Sequence, residues 1–218
     1  MLRSYTDSCV YILKINKHIG VIPIYVDDAP AISSTPQMRI FFWRVLASEF
    51  NVRYIGPLNT LLGIDFCRMP DGSLQLSQAQ YIRKVLERFQ MQDCNPVTTP
   101  MDMTVKLRKK MGATEAEKEA MNEVPYRQAV GALMYIARAT RYDIAHPVNV
   151  LAQYGADPEP AHWVAVKRIL RYLKGTLNQA LVYQPSGGRM HYIRMQVWRV
   201  IPTTVNRTPA SLYSWART

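Results

Sequence analysis

Two β-rich runs, residues 9–15 and 20–26, are joined by Asn16-Lys17-His18-Ile19, and the second leads straight into Asp27-Asp28. Runs of β-branched and aromatic residues this close together predict a hairpin. The hairpin delivers two adjacent carboxylates to a strand end. Like charges side by side repel, so a fold keeps them together at a cost unless a cation neutralises them. Hard oxygen ligands of this kind suit Mg²⁺, with Mn²⁺ as the substitute ion. Mg²⁺ commonly takes one or two carboxylates and fills its other positions with water or phosphate oxygens. A pair of such ions clamps the attacking and leaving oxygens in phosphoryl transfer. The competing reading is a solvated hairpin tip, because Asp is common in turns.

The chain after the aspartates reads as alternating short strands and helices. Residues 29–32 have strand character, weakened by Pro30, which has no N–H to donate. Residues 38–50 read as a helix with Ile40, Phe41, Val45 and Phe50 on its apolar stripe and Ser33, Ser34 and Thr35 as candidate caps. Strands follow at 52–55 and 61–67, and Asp71-Gly72 marks a tight turn. Ser77 then looks like the cap of a helix whose inner stripe is Tyr81, Ile82, Val85, Leu86 and Phe89. Residues 95–123, with Pro96, Pro100, a basic run at 106–110 and an acidic one at 115–119, read as an exposed linker with some helix.

Three helical patterns come next: 126–138, a second from Asp143, and 160–173 with Trp163, Val166, Ile169, Leu170 and Leu173 inward and Gly175 as the stop. Residues 180–183 are a candidate strand, and past Gly187-Gly188 the periodicity fails. The fold class this predicts is α+β: an antiparallel sheet with a helix, then a mainly helical part, then an irregular basic tail.

Composition narrows the function. With 218 residues and 48% apolar side chains the chain is long enough for one or two packed cores. No apolar run approaches the ~20 residues of a membrane span, and residues 1–14 lack the apolar stretch of a secretory leader. Cys9, Cys67 and Cys94 are odd in number and unpaired in spacing, as expected of reduced thiols. The net charge is +11, and the excess is uneven: residues 160–218 hold nine Lys or Arg and no acid, leaving +2 for residues 1–159. Lys167, Arg168, Arg171 and Lys174 form one basic helix face, suited to phosphates or simply to solvent. His162 and Trp163 at that helix's start have no ligand-spaced partner and read as packing, as do Met134 and Tyr135.

Asp7-Ser8-Cys9-Val10-Tyr11 with Ile24-Tyr25-Val26-Asp27-Asp28 resembles the palm hairpin of copia-type retrotransposon reverse transcriptases. The resemblance continues in order through Leu61-Leu62-Gly63-Ile64-Asp65-Phe66, Asp71 to Gln78, Pro96 to Met101, Val130 to Tyr135, Thr140-Arg141, Asp143-Ile144-Ala145, and His162-Trp163 with Lys167 to Thr176, covering about residues 4–188. It implies a catalytic, metal-binding Asp27 with Asp28 beside it, and Tyr25 and Val26 lining the primer end. It places Leu62 and Gly63 in a region that grips the primer. Residues 1–77 would be the later palm, 78–176 the helical thumb and connection, and 177–218 the start of RNase H. The implied partners are an RNA/DNA primer–template hybrid and the rest of a Pol polyprotein, with no membrane. The implied location is the cytoplasm or a virus-like particle, with the nucleus as an alternative.

Departures temper the activity expected. The family carries another catalytic aspartate on an earlier palm strand, so this chain alone is expected not to polymerise. Ala29-Pro30 replace the usual aliphatic residues, Tyr142 stands where the family commonly has Pro, and Pro147 falls inside a helical pattern it should kink. The tail has no aspartate where RNase H should begin, and shifted back-translation from Tyr192 onward partly restores that opening, pointing to a frameshift between about Gln184 and Tyr192. Two other readings stay open: a non-catalytic basic nucleic-acid-binding or Pol-associating module, and a degenerate reading frame.

Overall fold

The computed structural model describes residues 2–184 and 194–201, which fall into two compact units divided at residues 59 and 60. In the first unit, β1 (Leu2–Arg3), β2 (Val10–Ile15), β3 (His18–Pro23) and β4 (Asp28–Ser33) run antiparallel in that order. The β2–β3 turn is tighter than its sequence predicts. Ile15 pairs with His18, so only Asn16-Lys17 turn the chain and His18 and Ile19 join the strand. Asn16 takes the left-handed conformation at φ 54°, which Asn tolerates better than most residues. Pro30 does not prevent β4 from forming. The β3–β4 ladder runs through Gly20↔Ser33 and Val21↔Ile32 and does not call on Pro30.

Helix α1 (Pro36–Glu49) starts on Thr35, whose hydroxyl accepts from the Met38 N–H at 3.4 Å, with proline in the first turn. Its buried face is Met38, Arg39, Phe42 and Leu46, whereas Ile40 and Phe41 are exposed and Val45 and Phe50 half-buried. The predicted stripe is therefore wrong by about a third of a turn. Apolar residues surround this helix, so periodicity does not choose a face. Gly20 on β3 does: a Cβ there would lie 2.6 Å from the Phe42 ring, and only glycine lets Phe42 seat against the sheet. Ile22, Ala29, Ala31, Phe42 and Leu46 form the core of this unit. Strand β5 (Asn51–Pro57) follows α1.

The second unit pairs a small sheet with a helical bundle. β6 (Thr60–Leu61), β7 (Ile64–Arg68) and β8 (Leu74–Ser77) form a meander, joined on the far side by β9 (Leu181–Tyr183). The Asp71-Gly72 turn is as predicted: Asp71 Oδ1 accepts from the Ser73 N–H at 2.9 Å and from its hydroxyl at 2.7 Å, and Gly72 takes φ 85°. The helices are α2 (Ala79–Arg88), α3 (Glu115–Asn122), α4 (Tyr126–Ala139), α5 (Ala145–Ala152) and α6 (Pro160–Gly175). Gln78, not Ser77, holds the α2 cap position; Ser77 ends β8 and its hydroxyl accepts from the Ala79 N–H at 3.1 Å. Ile82, Val85, Leu86 and Phe89 meet Leu133, Ile136, Leu151, Val166, Ile169, Leu170 and Leu173 in one core; the α2 and α6 members are on the stripes the sequence predicts.

Three expectations are corrected here. Pro147 sits in the first turn of α5, behind a single 3-10 turn at Tyr142–Ile144. First-turn N–H groups have no intrahelical partner, so the proline removes no bond and makes no kink. Gly175 does not stop α6 but is its last residue, with Thr176 at the cap. Its need for glycine is steric, since a Cβ would meet that of Pro96 at 3.0 Å. The tail is not wholly irregular: β10 (Arg194–Ile201) inserts antiparallel between β4 and β5, giving the order β1-β2-β3-β4-β10-β5. Val197, Trp198, Val200 and Ile201 supply strand propensity, and two open strand edges supply main-chain partners. The postulated frameshift region, and residues 202–218, lie outside the described residues. The compact units part between residues 59 and 60, and in the second unit β7 packs with α2.

Candidate functional site

The paired aspartates lie at the β3–β4 turn, where the second β-rich run gives way to the next strand. Tyr25 and Asp28 exchange two main-chain hydrogen bonds, each 2.9 Å, so Val26-Asp27 is a two-residue turn and Asp28 begins β4. Ile24 N–H bonds to the Cys9 carbonyl at 2.8 Å and ties the approach to the neighbouring strand. Tyr25 and Val26 are exposed, Val26 to 84%, while Asp27 and Asp28 are half-buried. Val26 has φ 54°. A β-branched residue in the left-handed region is strained, at a cost of roughly 1–3 kcal/mol, and such strain collects at functional sites. The turn thus places two adjacent, half-buried aspartates beside the exposed Tyr25 and Val26.

The donor set has the right chemistry for Mg²⁺ but is small. Among the described residues no group of three or more His, Cys, Asp or Glu side chains comes together. Asp27 and Asp28 are the residues that would hold a divalent ion, which would supply charge neutralisation there.

Leu62 and Gly63 are in the second unit, at the turn between β6 and β7. Both are left-handed, at φ 51° and 76°. The turn is held from beneath by Tyr135 of α4, whose hydroxyl donates to the Leu62 carbonyl. Tyr81 of α2 stands edge-on to Tyr135, with ring centroids 5.1 Å apart. At the base, the Thr60 hydroxyl donates to Asp65 Oδ1 at 2.9 Å.

The α6 basic face is largely engaged within the protein. Arg171 Nε donates to the Asn95 carbonyl at 2.6 Å, Lys174 Nζ to the Cys94 carbonyl at 2.7 Å, and Arg168 Nη2 to the Thr99 hydroxyl at 2.9 Å. Arg168 also faces Asp102 at 3.6 Å. These bonds lay the first part of the 95–123 linker along α6. Its later part is tied down by Glu159, whose Oε2 accepts from Met111 N–H at 2.8 Å and Ala113 N–H at 3.2 Å. His162 is fully buried and stacked on Tyr154 at 4.1 Å between ring centroids. It accepts from the Glu159 N–H through Nδ1 at 2.8 Å and bonds the Arg108 carbonyl through Nε2 at 2.9 Å. The packing role read from the sequence is what the geometry shows.

Sequence reasoning passed over Tyr135 and Arg141. Tyr135 looked like one more aromatic on a helical stripe, and Arg141 is an arginine between helices. Their roles arise from partners more than 30 residues away, Leu62 and Thr176, which no local pattern reveals.

The family described as reverse transcriptase (RNA-dependent DNA polymerase) matches residues 2–103, a span that takes in both turns. The retrovirus-related Pol polyprotein from transposon TNT 1-94 of Nicotiana tabacum is 40% identical over 84% of this chain. The chain belongs to the copia-type retrotransposon reverse transcriptase family. The corresponding Pol polyprotein from transposon RE1 of Arabidopsis thaliana is 37% identical over 83% of the chain. An uncharacterised mitochondrial protein of Arabidopsis thaliana is 33% identical over 72% of the chain and 62% of its own length. This reverse transcriptase segment spans only 14% and 12% of the two Pol polyproteins. No solved structure matches it.

Proposed function

We propose that this chain contributes the Asp27-Asp28 carboxylates and the Leu62-Gly63 turn to an RNA-directed DNA polymerase that transfers nucleotides to a primer 3′-hydroxyl. The observation that carries the reading is the Tyr25–Asp28 turn, in which strained Val26 precedes two adjacent, half-buried aspartates. Asp27 and Asp28 bind Mg²⁺ or Mn²⁺ together with carboxylate oxygens from outside this pair. Tyr25 and Val26 face the primer end, and the first unit acts as palm. The helical unit acts as thumb and connection beside an RNA–DNA hybrid, and the setting is a Pol polyprotein. Lys167 on α6 is the basic residue there best placed for phosphate, since its three neighbours already bond the linker.

The test is primer extension on an RNA template with Mg²⁺ or Mn²⁺. The chain alone is expected to be silent. Mixed with the preceding reverse transcriptase segment of the tobacco relative, it is expected to extend the primer, and Asp27→Ala is expected to abolish that extension. Extension that survives Asp27→Ala overturns the assignment.

A further inference from the structure

We propose that Tyr135 is a positioning residue that fixes the Leu62-Gly63 turn in the conformation presenting the Leu62 side chain to a primer strand. The inference rests on the reading of that turn as a primer contact.

The turn does not hold itself. Both of its residues are left-handed, at φ 51° and 76°. Gly63 adopts that conformation freely, but Leu62 does not, because its Cβ crowds the following carbonyl. A leucine kept there needs outside support, and three contacts supply it. The Tyr135 hydroxyl donates to the Leu62 carbonyl. Tyr81 lies directly under Gly63, where an added Cβ would be 3.4 Å from Tyr81 Cδ2. The Thr60–Asp65 hydrogen bond closes the base. Tyr135 is itself fixed: its ring meets Tyr81 at 77°, and its neighbours Leu133, Ile136 and Ala137 are in the core.

The Leu62 side chain remains 47% exposed while its carbonyl is bonded. A hydrogen bond to a carbonyl at a solvated turn adds little to stability, because water would satisfy the same acceptor. Its effect is on direction. With the carbonyl held inward, the left-handed leucine projects its side chain outward. Two sequence blocks some 70 residues apart thereby become one device. Packing alone does not require the hydroxyl; phenylalanine would fill the same space.

Tyr135→Phe keeps the ring and removes only that hydroxyl. Amide exchange in the free protein should then rise at Ile64, which pairs with Leu61 across the turn, by about 2- to 3-fold, the low end of what one hydrogen bond supports. Exchange at Leu133 and Ile136 should be unchanged, which shows that the variant is folded. Binding is read by anisotropy of a labelled RNA–DNA primer–template. Leu62→Ala and Tyr135→Phe should each weaken it, and the double variant should be no weaker than Leu62→Ala alone, the mark of two residues acting through one contact. Unchanged exchange at the turn, or losses that simply add, overturn the inference. If Leu62→Ala weakens binding and Tyr135→Phe does not, the inference fails and the primer-contact reading stands. If Leu62→Ala leaves binding as in the wild type, the primer-contact reading fails and the inference fails with it.

Discussion

Among the described residues Arg141 is the largest fully buried side chain, 2% exposed, and its surroundings show how a buried charge is held. Its guanidinium donates to both oxygens of Asp143 at 3.0 and 2.7 Å, to the Thr176 carbonyl at 3.0 Å and to the Thr176 hydroxyl at 2.6 Å. The Tyr172 ring lies 5.5 Å from it, and the Tyr172 hydroxyl donates to Asp143 at 2.8 Å. Burial raises the Asp143 pKa, but the hydrogen bonds from Arg141 and Tyr172 outweigh it and hold the carboxyl below its ordinary 3.8. A carboxyl depressed in the folded state stabilises above its unfolded value, and that stability is lost as pH falls through the folded value. The melting temperature should therefore drop below about pH 4, and Asp143→Asn should flatten that part of the profile. Arg141→Met should cost about 3 kcal/mol in urea unfolding at neutral pH, because it leaves Asp143 with only the Tyr172 hydroxyl and removes the guanidinium donors to Thr176. Arg141→Lys should recover little of it, since an ammonium cannot reproduce the bidentate fork.

At the scale of the element, two positions decide how helices meet their surroundings. Gly20 lets β3 pass beneath α1, with the Phe42 ring where a Cβ would stand. Phe42 is fully buried and has no room to retreat. Gly20→Ala should cost about 1–3 kcal/mol, the range for overpacking, and Phe42→Leu in the same chain should recover part of it. Pro147 is the second. In a helix interior it would cost ~3 kcal/mol, and replacing it would stabilise the protein. In the first turn of α5 it costs nothing and restrains the unfolded chain, so Pro147→Ala should lower stability by about 0.5–1 kcal/mol. The sign of that one change in a denaturation curve distinguishes the two placements.

The molecule as a whole is unequal in its cores. Among the described residues, the core cluster of the helical unit holds eighteen buried apolar residues and that of the sheet unit holds five. Stability follows apolar burial, so denaturation should proceed in two steps with the sheet unit first. Hydrogen exchange at increasing urea should show Leu133→Ala moving only the later step, by about 2–5 kcal/mol, and Phe42→Ala moving only the earlier one. A single transition shifted by both would mean that the units unfold together. If the order holds, the Asp27-Asp28 turn belongs to the less stable unit, and ligands that bind it should raise the first step most.

Much of this architecture was legible in the chain itself. The helices of the second unit have strong apolar stripes, at Ile82, Val85, Leu86 and Phe89 and at Val166, Ile169, Leu170 and Leu173, and those stripes are the core. Asp71-Gly72 reads as a turn because its chemistry is local. The candidate carboxylates were visible as adjacent residues, and the ordered blocks gave the family. Other features depend on distant partners. The buried face of α1 is chosen by a glycine on another strand, since a helix apolar on all sides has no stripe to read. That Asp27 and Asp28 follow the second β-rich run was legible, but the tight turn that carries them is set by the Tyr25–Asp28 main-chain bonds. The linker is largely exposed, as its composition suggests, but that Arg171 and Glu159 bind its main chain was not legible. Periodicity and turn chemistry act over a few residues, so the sequence determined the elements and the family. Which face is buried, which charge is satisfied and which turn is held depend on atoms brought together across tens of residues, and only the tertiary structure decided them.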